Sequence, residues 1–197
     1  MKSEILHLLR HADGYVSGQQ LCETFGVSRT AVWKVINQLK EEGYVIDSVQ
    51  NKGYRITEYP DIITASEIES LLLDDSGNMQ GICRHIQYFD KTDSTNNQAK
   101  LAAEKNAPDG TLFVAECQTG GRGRRGKTWE SPAGSGIWMS LLLRPDISPE
   151  SASMLTLVLA VAMVDAINEE VQDAKCYVKW PNDIVLNNRK ISGTLTE

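Results

Sequence analysis

The chain of 197 residues lacks the marks of several protein classes. Its four cysteines, Cys22, Cys83, Cys117 and Cys176, lie far apart, in no paired spacing with one another or with His7, His11 and His85. That excludes a disulfide framework and a zinc-ligand pattern, so reduced thiols and no protein-held metal are expected. No apolar run approaches the roughly 20 residues of a membrane-spanning helix. Met1-Lys2-Ser3-Glu4 opens straight into an amphipathic pattern rather than a signal-peptide core, and the expectation is a cytoplasmic protein with no membrane partner. Internal repeats and low-complexity tracts are also missing. With 41% hydrophobic and 23% charged residues, the composition excludes a disordered tail or a fibre and suits a small domain plus a medium one.

Positive charge is scarce as well, with 20 Lys and Arg against 26 Asp and Glu. The deficit is uneven. Residues 1–59 are balanced, and the remainder carries the whole net charge of −6, which disfavours a nucleic-acid partner for the larger part.

What is present begins with three helical patterns. Ile5, Leu6, Leu8 and Leu9 form a stripe over residues 2–11; a short helix from about Ser17 stops at Gly26; and Ser28 is a natural N-cap for a third. In the third, Val32, Val35, Ile36 and Leu39 face a core, while Thr30, Trp33, Lys34 and Asn37 share the opposite face. Two helices around a tight Gly26 turn read as helix-turn-helix. Two alternating stretches, 44–46 and 53–56, would be a wing, giving a winged helix-turn-helix over residues 1–59. Ser28, Arg29, Thr30, Trp33 and Lys34, with Arg55 on the wing, are the candidate DNA contacts, because they focus charge where phosphates would lie. Trp33 suits packing on that face equally well.

Tyr59-Pro60-Asp61 breaks the pattern, and residues 60–65 read as a linker. Thr64-Ala65-Ser66-Glu67 has the form of a capping box. Residues 66–197 then alternate between strand-like and helix-like segments. Strands are expected over 85–89, 111–117, 137–143 (fully buried), 177–180, 184–186 and 190–195, and helices over 97–105 and 154–170; this is a mixed α/β (α+β) domain.

Between the second and third of those strands lies Gln118-Thr119-Gly120-Gly121-Arg122-Gly123-Arg124-Arg125-Gly126-Lys127-Thr128-Trp129. Residues 121–128 satisfy a phosphate-loop pattern, and Gly121, Gly123 and Gly126 a dinucleotide pattern. Both mechanisms need a helix directly afterwards, which Glu130-Ser131-Pro132-Ala133-Gly134-Ser135-Gly136 cannot form. What remains is four cations on a glycine-softened loop. Planar guanidinium groups suit bidentate contact with phosphate or carboxylate, so the loop reads as a polyanion site that orders on binding, a nucleotide triphosphate being the obvious ligand.

That loop and Trp129, preceded by Asp93-Ser94-Thr95-Asn96 and followed by Lys179-Trp180-Pro181-Asn182-Asp183 and Arg189-Lys190-Ile191-Ser192-Gly193, resembles the bifunctional biotin protein ligases that also repress biotin operons. The resemblance spans the whole chain and rests on the order of three separate motifs. It implies a catalytic domain related to class II synthetases. There, biotin and ATP, with Mg²⁺ on the triphosphate, give biotinyl-5′-adenylate, which acylates a lysine of a biotin carboxyl carrier protein. Ser94, Thr95, Asn96 and Gln118 match positions around the biotin head group. Arg122, Gly123 and Arg124 match the ligand-closing loop, and Lys190 matches the lysine near the biotin carboxylate. Trp129, Asn182, Arg124 and Lys127 fall on the nucleotide side, with Lys190 and Arg124 as the catalytic cations. The resemblance further implies operator DNA as a partner, a ligand-induced homodimer, and further strands and a small β-barrel beyond Glu197, which would leave the sheet incomplete and an edge unpaired near 190–197. Thr194 departs from the apolar residue a buried strand would favour.

Single residues keep second readings. Ser94 and Thr95 suit capping of the following helix, Trp129 suits packing, and Lys179 and Asp183 suit strand and turn roles. A ligand-sensing transcription factor without productive ligation, and a lipoate ligase, are the competing functions; the winged-helix start and the loop over 121–126 disfavour the latter.

Overall fold

The computed structural model describes residues 1–171 and 175–197. Helices α1 (Lys2–His11), α2 (Gly18–Phe25) and α3 (Arg29–Glu41) precede a two-stranded antiparallel hairpin, β1 (Val45–Val49) and β2 (Gly53–Glu58). Local chemistry sets their ends. Ser17 and Ser28 accept from the amides of Gln20 and Ala31, and Gly26 closes α2 in the left-handed conformation that a residue without Cβ adopts at no steric cost. Apolar positions three and four apart bring Ile5, Leu6, Leu9, Leu21, Val32, Ile36 and Leu39 into one core, closed by Tyr44, Ile46 and Ile56. At roughly 25 cal/mol per Å² of apolar surface, each fully buried Leu or Ile contributes about 2 kcal/mol. The wing is tied back where Val16 and Tyr54 exchange both backbone hydrogen bonds. The winged helix-turn-helix arrangement is therefore present as the sequence indicated.

Helix α4 (Ala65–Leu72) packs along α1. Thr64 caps it through the Glu67 amide, but the capping box is only half formed. The Glu67 carboxylate does not turn back to its own helix; it accepts from Arg10 and Tyr44. Ile62, inside the stretch read as a linker, packs against the winged-helix core.

Beyond it, β3 (His85–Phe89), α5 (Thr95–Glu104) and β4 (Thr111–Ala115) form a parallel βαβ unit, and β5 (Trp138–Leu142) pairs antiparallel with β4. Strand β4 is central and buried at every residue, as a strand covered on both faces must be. The long helix α6 (Met154–Glu170) leads through residues 172–174, which lie outside the described part, to a second antiparallel sheet in the order β6 (Tyr177–Lys179), β7 (Asp183–Leu186), β8 (Arg189–Gly193). Asn187 and Asn188, both with positive φ, make the tight β7–β8 turn.

Two expectations fail. The segment 137–143 is not fully buried: Ile137 and Met139 are exposed, because they share one face of β5 while α5 packs against the other, where Ser140 meets Thr95. The statement that no apolar run approaches membrane length is corrected by residues Pro149–Glu170, a short 3-10 turn continuous with α6. This segment of 22 residues has a mean hydropathy of 1.7 in its most apolar stretch and is long and apolar enough to cross a membrane by length and composition. Its apolar residues surround the helix rather than forming a stripe, so no 3.6-residue periodicity betrayed it. Thr194 does not fill a buried strand position; it follows β8, and its backbone carbonyl and amide bond the side chain and carbonyl of Asn182.

Candidate functional site

Helix α5 begins two residues earlier than the sequence pattern indicated, which puts Thr95 and Asn96 in its first turn. Ser94 is the N-cap residue by position and is buried, yet its hydroxyl makes no capping bond. The capping is delegated. The Thr95 amide and hydroxyl both donate to Gln118 Oε1, at 2.8 and 3.1 Å. Asp93 Oδ2 accepts from Asn97 Nδ2 and Asp93 Oδ1 from Gln98 Nε2, bonds that hold its carboxyl well below the usual carboxylate range. An acid at a helix N-terminus also faces the positive end of the macrodipole.

Gln118 joins this helix to the cationic loop. Its Nε2 donates to Ser131 Oγ at 3.0 Å, and its backbone bridges to Thr92 on one side and Ser131 on the other. Ser140 of β5 completes the group by donating to Thr95 Oγ1 at 2.8 Å and by a short contact with Asn96 Oδ1. Thr95, Asn96, Gln118, Ser131 and Ser140 thus form one chain of polar groups with Thr95 and Ser131 almost wholly buried. Sequence reasoning missed Ser131 and Ser140. Ser140 carried a usable signal, a lone hydroxyl within the apolar run Trp138-Met139-Ser140-Leu141-Leu142.

Close approach shapes the backbone of the loop. Gly121 accepts from the Trp129 amide, Gly123 donates to the Lys127 carbonyl, and Arg122 bridges Thr128. A Cβ on Gly121 would fall 2.3 Å from the Trp129 carbonyl oxygen and 2.7 Å from Ser131 Oγ, so only glycine fits. Gly126 sits at φ 72°, after Arg125, a non-glycine residue in the same left-handed region. Exposed Arg122 reaches the Glu197 carboxylate at 3.4 Å, which Asn96 Nδ2 and Lys100 also contact, at 2.9 and 3.1 Å. These donors, Asn96 first, lower the Glu197 carboxyl below its ordinary value.

A second group lies beside it. Arg124 donates to Asn182 Oδ1 at 3.0 Å, and Asn182, buried after the cis Trp180–Pro181 bond, fixes Thr194. Lys190 lies 2.6 Å from Asp183 Oδ1 and 4.8 Å over the Trp129 ring, a cation–π contact. Asp183 therefore does more than form a turn. Lys127 contributes only backbone to these contacts.

On the winged helix, Arg29, Thr30, Trp33 and Lys34 share the exposed face of α3, while Ser28 is used as its cap. Arg55 is drawn aside by Asp47 at 3.1 Å and lies over the Tyr15 ring. A cleft of about 530 Å³ runs between Arg29, the start of α2 and the wing residues 48–54.

Residues 88–197 match the biotin/lipoate A/B protein ligase family. The chain belongs to that family. Its helix-turn-helix part separately matches an HTH domain over residues 2–55. Among curated relatives, it is 42% identical over 198 residues to the bifunctional ligase/repressor BirA of Bacillus subtilis and 35% identical over 194 residues to that of Escherichia coli. These alignments cover 100% and 98% of the chain but only 59% and 57% of the relatives, so the chain spans well under two thirds of their length. Among solved structures, the biotin protein ligase of Aquifex aeolicus in complex with biotin and ATP superposes with a TM-score of 0.51 at 37% identity, over 57% of this chain and 46% of the other. Both polar groups above fall within the residues 88–197 that the ligase family matches.

Proposed function

We propose that the chain activates biotin with ATP to biotinyl-5′-adenylate for transfer to a lysine of a biotin carboxyl carrier protein, and that its winged helix represses biotin genes with the adenylate as corepressor. The observation that carries this reading is the polar chain in which Gln118 joins Thr95 of α5 to Ser131 beside the cationic loop, because it sets fixed donors and acceptors next to Arg122 and Arg124.

In this reading Ser94, Thr95, Asn96 and Gln118 receive the ureido head group, since a urea needs short donors and acceptors fixed in place. Ser131 and Ser140 hold that set rigid. Arg122, Gly123 and Arg124 close over the acyl-phosphate. Attack of a carboxylate on an α-phosphate brings two anions together, so the chain's contribution is positioning and charge stabilisation by Lys190 and Arg124, with no nucleophilic side chain. Lys190 is held for this by Asp183 and by the Trp129 face. Trp129, Asn182 and Lys127 serve the nucleotide. Folding of the loop over the mixed anhydride keeps water from it. Among the described residues no cluster of three or more His, Cys, Asp or Glu side chains could hold a metal ion, so Mg²⁺ is read as arriving on the triphosphate and no step is assigned to it.

Ordering of the loop by ligand would stabilise a homodimer, and the dimer would space two α3 helices along an operator, with Arg29, Thr30, Trp33 and Lys34 towards the bases and phosphates. We place the protein in the cytoplasm, where ATP and operator DNA are found. Incubation with biotin and ATP tests the reading through pyrophosphate release and carrier-protein biotinylation. Pyrophosphate with biotin but not lipoate is expected; saturable biotin binding without pyrophosphate would leave only a ligand-sensing transcription factor.

A further inference from the structure

We propose that Glu67, with Arg10 and Tyr44, is a clasp that sets the angle of the winged helix against the rest of the chain, making these three the positioning residues for operator binding. The operator consequence rests on the DNA-binding reading above; the clasp itself does not.

Helix α4 occupies the stretch between residues 55 and 88 that neither family match covers, so the junction between the two parts must be solved there. A mere tether would need no specific contacts. Instead, the two oxygens of the Glu67 carboxylate are taken by donors from two different elements of the winged helix: Arg10 Nη2 from the last turn of α1, and the Tyr44 hydroxyl just before β1. The Arg10 guanidinium lies 4.6 Å over the Tyr59 ring, and Tyr59 meets Tyr44 edge-on at 6.3 Å. One turn further along α4, the Ser70 carbonyl accepts from His7 Nδ1 at 2.8 Å.

These contacts are largely covered. Arg10 and Glu67 side chains keep 18% and 15% of their exposure, and no other ion pair among the described residues is so covered on both sides. Arg10 Nε is buried without a partner, so loss of Glu67 would strand a guanidinium already short of an acceptor. Burial, then the Glu67 carboxylate, push the Tyr44 hydroxyl far above the ordinary phenol range, as expected of a phenol that stays a donor. A largely covered ion pair adds little net stability compared with apolar packing, but it is directional, and direction is what a domain junction requires. Two recognition helices that must meet successive major-groove segments tolerate little freedom in that angle.

The test uses the full chain and residual dipolar couplings. In the wild type, amides of α3 and of the β3–β4–β5 sheet are expected to share one alignment tensor. In Glu67→Gln and Arg10→Met they are expected to need two, with α3 chemical shifts unchanged. If either variant fails to fold, Tyr44→Phe, which deletes one hydroxyl, is measured in its place. Affinity for an operator duplex selected from random DNA with the wild-type chain should fall about tenfold or more in the variants. Two tensors in the wild type, one tensor retained in the variants, or shift changes spread through α3 would each overturn the clasp, the last by showing that the trio only stabilises the winged-helix core. Failure of the wild type to select any DNA would remove the operator reading and leave the tensor comparison as the decisive result.

Discussion

Gly121→Ala probes the cationic loop most directly. The added Cβ would lie 2.3 Å from the Trp129 carbonyl oxygen, whose own amide donates to the Gly121 carbonyl, and 2.7 Å from the Ser131 hydroxyl that holds Gln118. Ordinary contact begins near 3.4 Å, so backbone must separate from backbone by about 1 Å, and overpacking of this kind typically costs about 1–3 kcal/mol. No flexible side chain can absorb it. The strain falls on the Gln118–Ser131 bond and so on Thr95, which loses its rigid acceptor. Spread over the ligand site, that loss corresponds to roughly 5- to 150-fold weaker biotin binding by calorimetry. The melting temperature should move only a few degrees, because the winged-helix core and β4 are untouched. Wild-type affinity in Gly121→Ala would refute the argument that close packing demands glycine here.

Other substitutions separate the remaining roles. Ser140→Ala removes the donor shared by Thr95 and Asn96 and should cost about 1–3 kcal/mol of biotin affinity by calorimetry while leaving ATP affinity unchanged. The Asp93 carboxyl is held below its ordinary value by Asn97 and Gln98, so its stabilising effect is fully present above the unfolded carboxylate value of about 3.9 and fades as the pH falls through the lower folded value. Urea titrations from pH 6 down to pH 2 should show that loss in the wild type and not in Asp93→Asn. Lys34→Ala on the exposed face of α3 should weaken operator binding and flatten its salt dependence without altering biotin affinity; unchanged DNA affinity across a salt series would count against that face.

Most elements were legible because their signals are local. Ser17, Ser28 and Thr64 cap where hydroxyls precede apolar periodicity, and Gly26 stops α2 where a left-handed residue is needed. The three motifs carried the candidate site for the same reason: each is a short contiguous string. What stayed hidden depends on partners distant in sequence. Ser131 and Ser140 become part of the site only because β4 and β5 pair and α5 lies across them. Glu67 looked like half of a capping box, which needs a neighbour three residues away. Its real partners are 57 and 23 residues distant.

The same contrast explains how one residue can serve both halves of the proposed ligand site. Gln118 sits where β4 has just ended, so its backbone bridges Thr92 and Ser131 while its side chain is free to reach the first turn of α5. A carboxylate in its place would offer no donor to Ser131, and a shorter amide would not span the gap to Thr95. Disturbance of the loop at Gly121 must then reach the Thr95 hydroxyl through two hydrogen bonds, and disturbance at Thr95 must reach the loop by the same path. In the proposed function, closure of Arg122 and Arg124 over a ligand and recognition of its head group would therefore be mechanically linked, and that linkage would let the loop close on the right ligand and stay open for the wrong one.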